Sequence, residues 1–213
     1  MPTLQLRHLT LQLLVLSAQA GLLGTQCLDL RLQVEQAAAQ LRDFFTRALA
    51  RALVGLLQGI EALTQLIEAY VSGKASPLTD ALALDGIARF ARGFQRAVDA
   101  GAHDIDARAD VAYAAFVSGV VLANAGLGVV HGFAGPLGAY FPIPHGVVCG
   151  TLLGAATRVT LAELCRRADS AGADDDGAAR GALEKYARVG AVLAGRHPGE
   201  VRADCQTLVD TLD

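Results

Sequence analysis

The sequence predicts an all-α protein, and three observations carry that prediction. Long segments set apolar residues at spacings of three, four and seven, the repeat of a single helix face. No run alternates apolar and polar residues as a half-buried strand does. The breaks between periodic segments fall at clusters of glycine, proline and serine, which stop helices.

Residues 28–58 carry Leu30, Val34, Leu41, Phe44, Phe45, Leu49 and Leu53 among arginines and glutamines, which predicts one or two amphipathic helices. Helix-forming residues continue from Leu56 to Ser72, with Gly55 and Gly59 as expected interruptions and Gly73 as the residue that ends the helix. Ser76 reads as an N-cap with Pro77 at the first helical position, opening a helix to about Ala100. Asp80 falls in its first turn, where a carboxylate suits the helix dipole. Asp104 and Asp106 start the next helix, which has an alanine-rich body that permits close packing and leaves through Gly126 and Gly128.

The stretch Gly126–Gly146, GLGVVHGFAGPLGAYFPIPHG, then holds His131 and His145 in a frame of glycine and proline, expected to be a stiff loop. From residue types alone, this pair reads either as metal ligands or a catalytic couple, or as histidines that cap helices or sit hydrogen-bonded in a core. A helix is expected from His145 to Leu164, followed by the acidic connector Arg166–Ala179 as a solvated loop. Its three adjacent aspartates lack the alternating spacing of a calcium loop. Two last helices are expected at Gly181–Ala194 and Glu200–Leu212.

The chain has 213 residues, of which 53% are hydrophobic, ample for a buried core. A net charge of −3 leaves no basic footprint, which argues against a nucleic-acid partner. Cys27, Cys149, Cys165 and Cys205 are too widely spaced for a zinc ribbon or a disulfide framework, so reduced thiols in a cytosol are the simplest reading. Arg7 and His8 precede an apolar run, Leu9 to Ala20, that ends like a signal-peptidase site, but Thr10 and Gln12 interrupt it. The expectation is therefore a cytoplasmic protein, with export and cleavage near Ala20 as the alternative. No apolar run approaches the roughly 20 residues that cross a bilayer, so no membrane partner is expected.

The histidine segment resembles the signature of the iron-containing (group III) alcohol dehydrogenases, a His-Gly-x-Ala-x-Pro-Leu-Gly-Ala run that leads to a Pro-His-Gly turn. Upstream, Gly59 to Ser72 (GIEALTQLIEAYVS) resembles that family's Gly-x-Asp-Ala-Leu-Thr-His/Gln-x-Ile-Glu-x-Tyr-x-Ser helix, and Ala75 to Ile87 continues the likeness. The resemblance implies the helical C-terminal domain of these enzymes, a bundle shared with dehydroquinate synthase-like proteins. It divides the chain into a divergent helical segment, 1–58, and the family-like domain, 59–213.

By the same resemblance, Glu61, Gln65, His131 and His145 are the metal ligands, for Fe2+ or Zn2+. Glutamate replaces the family's aspartate at 61, and Gln65 offers an amide oxygen, a weaker ligand than imidazole. Gly135, where many members carry a further histidine, and Phe141 are the positions implied at the cofactor, and Phe133, Tyr140 and Phe141 are expected to pack the wall of the cleft. No residue is assigned to proton transfer. Glu68 reads as a surface carboxylate, Tyr70 as half-buried, Cys149 as a buried structural thiol, and His103 and His197 as exposed.

The reaction implied is NAD(P)-linked interconversion of an alcohol and an aldehyde or ketone, with a small-molecule substrate and a homodimer as a permitted assembly. Residues 1–58 contain neither a glycine-rich phosphate loop nor the βαβ pattern around one. Two alternatives therefore stand beside the metal-dependent enzyme: a metal-independent oxidoreductase like the maleylacetate reductases, and a non-enzymatic truncated bundle.

Overall fold

A computed structural model describes residues 26–100, 103–170 and 177–213. The apolar run Leu9–Ala20, on which the export alternative rests, and the aspartates 174–176 lie outside them. The described residues form seven helices and no strand: α1 (Gln26–Val71), α2 (Pro77–Ala100), α3 (Ile105–Ala125), α4 (Val129–Tyr140), α5 (His145–Ser170), α6 (Gly177–Leu193) and α7 (Val201–Leu212).

The chain divides into two units, Met1–Leu53 and Val54–Asp213. In the first, everything described belongs to α1, and Glu35, Gln36, Gln40, Arg42 and Asp43 are exposed. The second holds the rest of α1 and α2 through α7, and the candidate site lies wholly within it.

In this second unit the last turns of α1 are almost fully buried. Leu66 and Ala69 are 0% exposed and Ile67 and Tyr70 1%, so Tyr70 is a core residue rather than a half-buried one. They share a core with Ile87 and Phe90 of α2, Val117 and Val121 of α3, and Val148, Cys149 and Leu153 of α5. Burying each large aliphatic side chain contributes about 1.5–3 kcal/mol, and this apolar contact, more than helix propensity, holds the bundle.

The starts predicted from sequence reappear as hydrogen bonds. Ser76 Oγ accepts from the Thr79 N–H at 3.3 Å, and Asp104 caps α3 by accepting from the Ala107 N–H at 2.9 Å. Arg92 forms a two-pronged pair with Asp110, at 2.8 and 2.7 Å, and joins α2 to α3. Lys185 of α6 donates to the Tyr70 carbonyl at 2.8 Å and to Asp80 Oδ1 at 2.9 Å, so one ammonium meets the exit of α1 and the entry of α2.

Several expectations are corrected. Gly55 and Gly59 do not interrupt α1; at Gly59 the Phe94 ring fills the space a side chain would take, an added Cβ lying 2.5 Å from Phe94 Cε2. The His131 segment is not a loop but α4, which keeps its helical path through Pro136. Phe133, Tyr140 and Phe141 do not pack a wall, being 59%, 83% and 53% exposed.

α5 extends to Ser170, and an 18-residue stretch of it reaches a mean hydropathy of 1.4, enough in length and composition for a membrane span. The expectation that no segment qualifies was therefore too strong. In this bundle α5 buries Val148, Cys149, Leu153 and Leu161 and packs on α4, α6 and α7, with 33% of that stretch buried.

Asp204 in α7 supplies a pH test of the fold. Its carboxylate is 1% exposed, accepts the Gly199 N–H at 2.6 Å and pairs with Arg196 at 2.5 Å. The Gly199 hydrogen bond, with Arg196 adding, holds its carboxyl below the usual aspartate range. A folded-state pKa below the unfolded value gives stability that is present above about pH 4 and lost as pH falls through the folded value. Asp204→Asn is expected to flatten that acid limb in urea melts at stepped pH; an unchanged limb would assign the acid sensitivity elsewhere.

Candidate metal centre

Helix α1 presents Glu61, Gln65 and Glu68 at i, i+4 and i+7, a spacing that puts the three on one face. Glu68, 6% exposed, is the anchor of the site rather than a surface carboxylate. Its Oε1 accepts the Val130 N–H at 2.7 Å, and its Oε2 lies 2.7 Å from His131 Nδ1 and 3.4 Å from the His131 amide nitrogen. A carboxylate that receives the first N–H groups of α4 both caps that helix and suits its positive end.

Burial pushes the Glu68 carboxyl up, but the hydrogen bonds from His131, Val130 and Gly128 outweigh it and hold the group below the usual glutamate range. It is therefore a carboxylate at neutral pH. In the neutral ring, an Nδ1–H donated to it puts the lone pair on Nε2, directed away from Glu68. Within 3.7 Å of that nitrogen lies Cys149 Sγ.

His145 opens α5, and its ring centroid lies 5.4 Å from that of His131. Its Nε2 is 3.9 Å from Glu61 Oε1. Cys149, one turn further along α5, shares a face with His145, and one ligand atom from each of His131, His145 and Cys149 lies within 4.8 Å of the other two. The Cys149 thiol is 0% exposed, and burial, with Glu61 and Glu68 adding, pushes it up to about 11.

Gln65 sits beside these groups with both ends of its amide engaged. Its Nε2 donates to Glu61 Oε1 at 3.2 Å, and its Oε1 accepts from Ser118 Oγ of α3 at 2.8 Å. Of the residues singled out from sequence, Glu61, Gln65, His131 and His145 are thus joined in one constellation. Gly135 and Phe141 are not part of it: Gly135 is exposed on α4 with open space at its Cβ position, and Phe141 ends α4, exposed. His103 and His197 are exposed, as expected.

The donor set suits a divalent transition metal. Two imidazole nitrogens and a thiol sulfur converge there, with the Glu61 carboxylate 3.9 Å from His145 at the edge; these are atoms such ions take, and the contact of His131 with Glu68 is the outer support that histidine ligands ordinarily have. Sequence reasoning missed Glu68, although its i+7 relation to Glu61 was a readable signal.

Residues 56–212 match the Fe-containing alcohol dehydrogenase family, C-terminal. The alcohol dehydrogenase 4 of Schizosaccharomyces pombe is 47% identical over 95 residues, 45% of this chain and 22% of that protein. The 1,3-propanediol dehydrogenase of Klebsiella pneumoniae is 42% identical over 103 residues, 48% of this chain and 26% of that protein. The crystal structure of a 1,3-propanediol oxidoreductase superposes with a TM-score of 0.63 at 30% identity, covering 76% of this chain and 37% of that one. The matched part spans about a quarter of the curated relatives.

Proposed function

Since the chain belongs to the Fe-containing alcohol dehydrogenase family, we propose that it is the metal-holding part of an NAD(P)-linked oxidoreductase that interconverts an alcohol with an aldehyde or ketone. One observation carries this reading: His131 is fixed by Glu68 and stands 5.4 Å, centroid to centroid, from His145, which in turn lies 3.9 Å from Glu61. The Glu68 and His131 side chains are largely buried, and charged and polar groups are costly to bury without a use, while the partly exposed His145 and Glu61 stand beside them where an ion could reach all of them.

Glu61, His131 and His145 would hold the ion, with Gln65 at the edge of the set. Bound there, an Fe2+ or Zn2+ ion would lower the pKa of an alcohol oxygen and so favour hydride loss to a nicotinamide ring. The protein's own contribution is orientation. Glu68 sets the tautomer of His131, Ser118 holds the Gln65 amide, and Gln65 steadies Glu61 by donating to it. Such fixed geometry removes the entropy cost of assembling the site at each turnover.

The test counts metal in purified protein by mass spectrometry, with NADH and NADPH titrations alongside. Stoichiometric metal that falls to background in both His131→Ala and His145→Ala, each still folded by circular dichroism, supports the reading. A parent chain that binds neither metal nor nucleotide would instead be a helical bundle without catalytic function.

A further inference from the structure

We propose that Cys149 is a direct ligand of the metal, joining Glu61, His131 and His145, and that the site consequently prefers a thiophilic ion such as Zn2+ or Co2+ over Fe2+. This rests on the metal reading above and adds a ligand to it.

Three observations lead there. First, Cys149 Sγ lies 3.7 Å from His131 Nε2. With metal bonds of about 2.3 Å to sulfur and about 2.0 Å to nitrogen at a tetrahedral angle, two ligands on one ion are separated by roughly 3.5 Å, so the observed distance already fits. Second, Cys149 follows His145 by one helical turn on the same face of α5, so the two reach a common point from one rigid element. Third, Gln65 is the weaker competitor for the fourth position. Its oxygen lies 2.8 Å from Ser118 Oγ and its nitrogen 3.2 Å from Glu61 Oε1, and an amide oxygen is a poorer donor than a thiolate for such an ion.

Ion binding displaces the thiol proton to solvent, and the resulting thiolate forms the metal–sulfur bond. A carboxylate, two imidazoles and one thiolate form a four-coordinate nitrogen, oxygen and sulfur set. Thiolate is a soft donor, and in such a set zinc and cobalt are favoured over ferrous iron.

Titration of the full chain with Co2+ tests this, because a cobalt–thiolate bond gives a near-ultraviolet charge-transfer band that nitrogen and oxygen ligands do not. The band is expected in the parent and in Cys27→Ser, Cys165→Ser and Gln65→Ala, and is expected to be absent from Cys149→Ser. X-ray absorption at the zinc edge of the parent, which needs no variant, is expected to show one sulfur at about 2.3 Å. Stoichiometric cobalt without the band, or a zinc shell without sulfur, overturns the ligand role of Cys149 and leaves the metal reading standing. A parent that binds no cobalt and no zinc overturns both.

Discussion

Glu68→Gln is expected to weaken metal binding by about 10- to 100-fold while the bundle stays folded, the range found when the hydrogen-bond partner of a histidine ligand is lost. The amide can still present an oxygen to the Val130 N–H, 2.7 Å from Glu68 Oε1 in the native chain. It then turns an NH2 group toward His131 Nδ1, and the ring can no longer donate there. The proton moves to Nε2, and the lone pair that a metal needs is gone.

Glu68→Ala goes further and leaves a buried N–H at Val130 with no acceptor, a loss of about 1–3 kcal/mol that urea melts would detect. Zinc competition titrations of the parent, Glu68→Gln and Glu68→Ala separate the two effects. Equal zinc affinity in all three would show that Glu68 supports the helix and not the ion.

Gly146→Ala should damage stability and metal binding together, because Gly146 is where α5 crosses α1 backbone to backbone. A Cβ there would lie 2.4 Å from the Leu57 carbonyl oxygen and 2.9 Å from its carbon, and neither is the end of a flexible side chain. The helices must move apart, at about 1–3 kcal/mol for overpacking of this kind. His145, the adjacent residue, moves with α5 and so leaves its position 3.9 Å from Glu61.

Gly119→Ala supplies the opposite sign. It is exposed within α3 with nothing inside 4 Å of a new Cβ, so alanine there should stabilise by about 0.5–1 kcal/mol through helix propensity. Thermal melts and zinc titrations of the two variants check both statements. A Gly146→Ala chain that melts and binds zinc like the parent would contradict the close approach of α1 and α5.

Where single residues carry a local rule, the sequence was a sound guide. Ser76 and Asp104 declared their helix starts through capping chemistry, and the structure returns both as hydrogen bonds to backbone N–H groups. Glu61, Gln65, His131 and His145 could be named because their neighbours spell out a family pattern, and the structure links them pairwise, Gln65 to Glu61, Glu61 to His145 and His145 to His131.

Reasoning failed where the answer depended on a distant partner. The sequence places Glu68 on the helix face of Glu61, but its role as the cap of α4 depends on Val130, 62 residues later. Gly59 looked like an interruption because the ring that fills its space, Phe94, lies on another helix. Glycine and proline counts made the His131 segment look like a loop. Tertiary contacts around Val130 and Ala134, both buried, instead hold it as a helix with Pro136 inside.

Lys185 has a consequence for protein engineering. The hairpin of α6 and α7 supplies none of the candidate ligands, yet its Lys185 ammonium is bonded to the Tyr70 carbonyl, less than one turn beyond Glu68. The terminal pair of helices is therefore not an interchangeable cassette. A graft from another scaffold would have to bring a cation to the same point, or leave the strut that carries three acidic and amide groups unfastened at its end.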